Sequence, residues 1–130
     1  FTVDFRSHEL DRLNGMVDRL LAEAPKLCAD LGVEFEAEIV GQFDPPAFNE
    51  DCVKAVRDAA ERLGYSHMDI VSGAGHDACW VNDVAPTAMV MCPCVDGLSH
   101  NEAEEISKEW STAGADVLFH AVVETAGIVG

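Results

Sequence analysis

Pro93-Cys94-Val95-Asp96-Gly97-Leu98-Ser99-His100-Asn101-Glu102-Ala103-Glu104 begins where a short apolar run, Thr87 to Cys92, has ended, and no helical periodicity has yet started. Pro93 and Gly97 break regular structure, so the stretch reads as a loop that carries His100 at an exposed position with carboxylates on both sides. A neutral imidazole there can take a divalent metal; it can also be a plain loop histidine satisfied by water or by the Asn101 backbone. What precedes the loop decides the architecture. A short strand at about Met68 to Val71, a glycine loop at Ser72 to Ala78, a short helix from about His76 to Val84 and a strand at Thr87 to Cys92 make a compressed βαβ unit. Its strands are apolar on both faces, as parallel strands are, so the fold class is α/β. That topology brings the carboxyl ends of both strands, and with them His76 and His100, to one edge of the sheet, where open α/β sheets bind ligands.

The flanking segments follow by periodicity. Phe1, Val3 and Phe5 alternate with polar residues, as do Val33, Phe35, Ala37 and Ile39, which predicts two strands of a sheet with one wet face. Between them Leu10, Leu13, Val17, Leu20, Leu21, Leu27 and Leu31 recur at helical spacing, with Ser7 as N-cap, Gly32 as C-cap and Pro25 as a kink or a division. Gly41 to Pro46 continues neither pattern and reads as a linker, so a domain boundary falls there. Asn49 caps a second helix to about Leu63, with Val53, Val56, Ala60 and Leu63 on its buried face and Gly64 ending it. Ser107 caps a last helix whose stripe is Trp110, Ala113, Val117, Ala121 and Val122. Phe1 stands inside an alternating run, as though the strand continued from something before it.

Composition excludes several classes of partner. Twenty-four acidic against eight basic residues give a formal charge of −16, which repels nucleic acid and anionic membranes. No apolar run approaches the roughly 20 residues of a membrane span. Five cysteines, with Cys92 and Cys94 one residue apart, do not match zinc or redox CxxC spacing; they read as reduced thiols of a cytoplasmic protein.

Three places can carry chemistry besides His100. Gly73-Ala74-Gly75-His76-Asp77-Ala78 meets the letter of the dinucleotide fingerprint, but the crossover is too short and Asp77 would set a negative charge where pyrophosphate belongs. The other use of these glycines is to bring backbone and the His76 ring close to a bound substrate. Asp77 serves as well as a structural hydrogen-bonding residue. Arg6 is either half of an exposed ion pair or a binding residue. Glu102, Glu104 and Glu105 could ligate a metal on chemistry alone, yet at the start of a helix such carboxylates more often answer the dipole. His8, His67 and His120 read as structural, and Cys79, Cys92 and Cys94 as small buried apolar residues.

Ser72-Gly73-Ala74-Gly75-His76-Asp77-Ala78, then Pro86-Thr87-Ala88-Met89, then Gly97-Leu98-Ser99-His100-Asn101-Glu102-Ala103-Glu104 stand in the order and spacing of one family's pattern. The chain resembles the N-carbamoyl-L-amino-acid hydrolases, with beta-ureidopropionase and allantoate amidohydrolase. The resemblance runs over essentially the whole chain and corresponds to the C-terminal part of a family member. It implies a two-metal aminopeptidase-like catalytic domain, here residues 47–130, preceded by the last strand-helix-strand of an α+β lid and dimerisation domain, residues 1–46. It implies a divalent metal pair (zinc, manganese, cobalt or nickel), a homodimer formed through the lid, and hydrolysis of a small ureido acid to amino acid, ammonia and carbon dioxide. His100 corresponds to a metal ligand, Gly75 and His76 to the substrate pocket, and Arg6, in the D-x-R of Asp4-Phe5-Arg6, to the arginine that clamps the substrate carboxylate. The general base, the other ligands and a companion asparagine have no counterpart in this chain, which by itself would be inactive. Cys94 stands where the family often has serine. A two-metal aminopeptidase or deacylase, and a non-catalytic dimerisation or binding domain on the same scaffold, are the alternatives.

Overall fold

Asn49 and Ser107 each turn a side-chain oxygen back onto the chain: Asn49 Oδ1 accepts from Cys52 N at 3.0 Å, and Ser107 Oγ accepts from Trp110 N at 3.2 Å. Each satisfies an amide that the first helical turn leaves without a partner, and so fixes where a helix begins. The computed structural model describes residues 1–128. Among them stand four α-helices, α1 (Leu10–Leu31), α2 (Glu50–Arg62), α3 (Asp77–Asn82) and α4 (Lys108–Ala126), and a 3₁₀ turn at Val95–Gly97. They fall into two compact units: Phe1–Ala47 with Val71–Ala74, and Phe48–Ile70 with the chain from Gly75 on.

In the first unit α1 runs unbroken for 22 residues with Pro25 inside it, so the proline does not divide it. Glu9 occupies the N-cap position, and Ser7 Oγ instead accepts from Glu9 N at 3.1 Å. Gly32 ends the helix at φ 70°, its N–H bonding Ala29 O while Val33 N–H reaches Cys28 O. That left-handed cap suits a residue without a Cβ. The leucine stripe of α1 buries no residue, and Leu27 and Leu31 lie open.

In the second unit α2 and α4 pack together. Ala59 and Ala60 meet Val117 and Ala121, with Val56, Leu63, Tyr65 and Val90 around them. Small residues on both helices permit close approach, and Gly114 extends this: a Cβ there would stand 2.4 Å from Cys92 Sγ. Buried positions on α4 are confined to Ala113, Val117 and Ala121, so Trp110 and Val122, expected on the buried stripe, remain largely exposed. Polar bonds frame the contact. Tyr65 Oη donates to Asp116 Oδ2 at 3.2 Å, Arg62 pairs with Glu124 at 2.7 Å, and Arg57 holds Asp69 at 2.7 Å.

The structure departs from the sequence reading at 1–6, 33–39, 68–71 and 87–92, where strands are expected and none is formed among the described residues. Alternation specifies the two faces of a strand, but a strand exists only through ladder hydrogen bonds to a neighbour. These segments make no ladder with one another. The first of these segments in the expected βαβ unit meets α2 through Asp69, and the second meets the core of α2 and α4 through Val90 and the N-cap of α2 through a bond from Asn49 N to Thr87 O at 3.1 Å.

Candidate functional site

The loop that follows Pro93 is held from within. Val95 N donates to Glu105 O at 2.7 Å, closing the loop at its two ends. Inside it, Asn101 Oδ1 accepts from Ala103 N and Asn101 O accepts from Glu104 N, both at 2.9 Å, which turns the Glu104 side chain back over the loop. Glu104 Oε2 then accepts the backbone N–H of His100 at 2.8 Å, and its Oε1 faces the Cys94 thiol at 3.8 Å. One carboxylate thus ties three parts of the loop.

His100 itself sits at φ 56° and Asp96 at φ 54°, both in the left-handed region. For residues with a Cβ this conformation costs on the order of 1–3 kcal/mol and persists only where surrounding bonds hold it. The Asn101 side chain and carbonyl both accept bonds within the loop. Cys94, expected as a small buried apolar residue, is only half-buried, and its thiol faces the loop carboxylate. Glu104 was the residue that sequence reasoning passed over; the signal was its place four residues beyond His100, within reach of the His100 amide across a tight turn.

His76 takes the N-cap position of α3 in extended conformation, and its side chain makes no capping hydrogen bond, so capping is not its task. Its carbonyl accepts from Cys79 N at 2.9 Å and starts the helix. Neither Gly73 nor Gly75 has a positive φ, and a Cβ on either would meet nothing within 4 Å. Among the described residues nothing demands glycine at these two positions.

Arg6 is bound by Asp4 and by the glycine loop. Its Nε and Nη2 donate to Asp4 Oδ2 at 2.8 and 2.6 Å, and Nη1 donates to the Gly73 carbonyl at 2.9 Å. These bonds use three of the five guanidinium N–H groups and leave one on each terminal nitrogen. The side chain is 62% exposed, so those two donors have access to a ligand. Its ion-pair partner is Asp4.

The remaining histidines behave as structural residues: His8 lies 3.7 Å from Glu9, His67 Nδ1 is 3.2 Å from Tyr65 O, and the His120 ring meets Phe119 edge-on at 5.6 Å. Among the described residues no three His, Cys, Asp or Glu side chains converge as a metal cage requires. Among the described residues a divalent metal would find the exposed imidazole of His100 and no set of three His, Cys, Asp or Glu converging on it.

A model of peptidase family M20/M25/M40 matches residues 7–124. The chain is 66% identical over 129 residues to an N-carbamoyl-L-amino-acid amidohydrolase of Rhizobium meliloti, covering 99% of this chain and 31% of that protein. It is 32% identical over 118 residues to a ureidoglycolate hydrolase of Arabidopsis thaliana, 89% of this chain and 25% of that one. Among solved structures, a hydantoinase/carbamoylase family amidase from Burkholderia multivorans superposes with a TM-score of 0.89 at 48% identity, over 95% of this chain and 30% of the other. The chain thus spans under a third of the length of these relatives.

Proposed function

Because this chain belongs to peptidase family M20/M25/M40, we propose that it forms part of a metal-dependent amidohydrolase that cleaves the ureido C–N bond of N-carbamoyl-L-amino acids or related ureido acids. The observation that carries the reading is the 66% identity to an N-carbamoyl-L-amino-acid amidohydrolase across 99% of the chain. On this reading residues 1–46 end a lid and dimerisation domain, and residues 47–130 belong to the catalytic domain. The extended segments find their ladder partners in the rest of that enzyme, which is a homodimer.

Each site residue has one task. His100 offers its imidazole to one of two divalent metals (zinc, manganese, cobalt or nickel), which when bound supply Lewis-acid polarisation of the ureido carbonyl and a water of lowered pKa. Arg6 directs its two remaining N–H groups at the substrate carboxylate, a planar match that sets which end of the molecule enters first. Gly75 lets the substrate approach the backbone, and the His76 ring, donor at one nitrogen and acceptor at the other, orients it. The ureido group is consumed with one water, giving the amino acid, ammonia and carbon dioxide.

A substrate panel tests this reading on the metal-loaded enzyme that carries the chain. N-carbamoyl-L-amino acids should release ammonia, while dipeptides and N-acyl amino acids should be poor substrates. Preferential cleavage of dipeptides would replace the proposal with an aminopeptidase, and no turnover of any member with metal bound would replace it with a binding or dimerisation domain.

A further inference from the structure

We infer that Glu104 is a positioning residue that fixes His100 through its backbone and is not itself a metal ligand. The inference rests on the proposed role of His100 and goes beyond it.

Both oxygens of the Glu104 carboxylate have partners inside the loop. Oε2 accepts from the His100 N–H at 2.8 Å, and Oε1 lies 3.8 Å from the Cys94 thiol. The Glu104 backbone is fixed in turn by its bond to Asn101 O. An arrangement in which Glu104 rotated out to ligate a metal would leave the His100 amide without this acceptor, at a residue already in the left-handed conformation. The carboxylate therefore does more for a metal by holding the φ 56° backbone that aims the imidazole than by competing for a coordination position. Cys94 completes the clamp from the side of the loop that follows Pro93. Glutamine preserves an oxygen acceptor at the same reach and places its amide against the thiol sulfur, a weak acceptor, whereas alanine removes both contacts.

Glu104→Gln and Glu104→Ala are compared in two measurements. In the enzyme that carries the chain, the His100 amide proton is followed by NMR; it should move upfield and exchange faster with solvent in Glu104→Ala, and stay close to its original shift in Glu104→Gln. In the metal-loaded enzyme, Glu104→Ala should weaken metal binding by about 10–100-fold, as is typical for loss of a residue that orients a ligand, and Glu104→Gln should recover most of it. An unmoved His100 amide in Glu104→Ala overturns the contact. A moved amide with unchanged metal affinity, or a Glu104→Gln variant as defective as alanine, overturns the positioning role, the latter because it points to direct ligation by the carboxylate. His100→Ala measured alongside separates the two layers: if it keeps its metal, the ligand assignment has failed whatever Glu104 does, and the role given to Glu104 fails with it. Helical circular dichroism on each variant excludes general unfolding.

Discussion

Arg6 Nη1 donates to the carbonyl of Gly73, 67 residues further along the chain, at 2.9 Å. The bond ties the candidate substrate-binding arginine to Gly73 within the first unit, while Asp4 holds the other edge of the guanidinium. Arg6→Lys keeps the charge but cannot make these bonds and offer a planar pair of donors together. In the enzyme that carries this chain, kcat/KM for an N-carbamoyl amino acid should fall at least about tenfold, roughly 1.4 kcal/mol of transition-state binding. A neutral amide analogue, lacking the carboxylate, should be unaffected; equal losses on both substrates would remove Arg6 from carboxylate recognition.

His76→Asn tests the glycine loop. The His76 side chain makes no capping bond, so the substitution should leave α3 and the metal content intact while catalytic efficiency drops sharply. A nearly silent variant would return His76 to a structural role. Gly75→Ala adds a Cβ that meets nothing within 4 Å in this chain, so its thermal stability should hold while KM rises.

Gly114→Ala sets two effects of opposite sign against each other. Helix propensity alone favours alanine by about 1 kcal/mol in the interior of α4. The new Cβ would stand 2.4 Å from Cys92 Sγ, and overpacking of this kind costs about 1–3 kcal/mol. The clash should win, lowering the denaturation midpoint of the chain. In a Cys92→Ala background the obstacle is gone, and the same Gly114→Ala change should become stabilising. No reversal of sign would mean that Cys92 simply rotates away.

Tyr65 gives a pH dependence. Its hydrogen bond to Asp116, with smaller contributions from burial and from the Asp116 charge, raises the phenol above its ordinary value near 10.0. A group raised on folding stabilises the fold fully below its unfolded pKa and loses that contribution as pH rises through the folded value. Stability should therefore decline above about pH 10, and Tyr65→Phe should flatten that part of the curve. The partly exposed pair makes the effect small, and an unchanged alkaline slope in Tyr65→Phe would assign the decline to other groups.

Helices were legible in the sequence because their signals are local. Asn49, Ser107, Gly32 and Gly64 mark helix ends by cap chemistry or by positive φ. The strands were legible as patterns only, since the alternation of Val33, Phe35, Ala37 and Ile39 fixes faces without supplying the neighbour that a ladder needs. Pro25 does not divide α1 because the helix can give up one bond where the flanking turns continue. The loop after Pro93 showed its histidine in the sequence but not its clamp. Glu104 reads as one of several acidic residues before a helix, and only the fold shows that its carboxylate faces back onto the His100 amide.

Metal analysis of His100→Ala asks whether this imidazole holds a divalent ion. Purified in the enzyme that carries this chain and measured by elemental analysis beside the unsubstituted protein, the variant should lose bound divalent metal and, with it, release of ammonia from an N-carbamoyl-L-amino acid. Full metal content and undiminished activity in His100→Ala would remove this residue from the metal site.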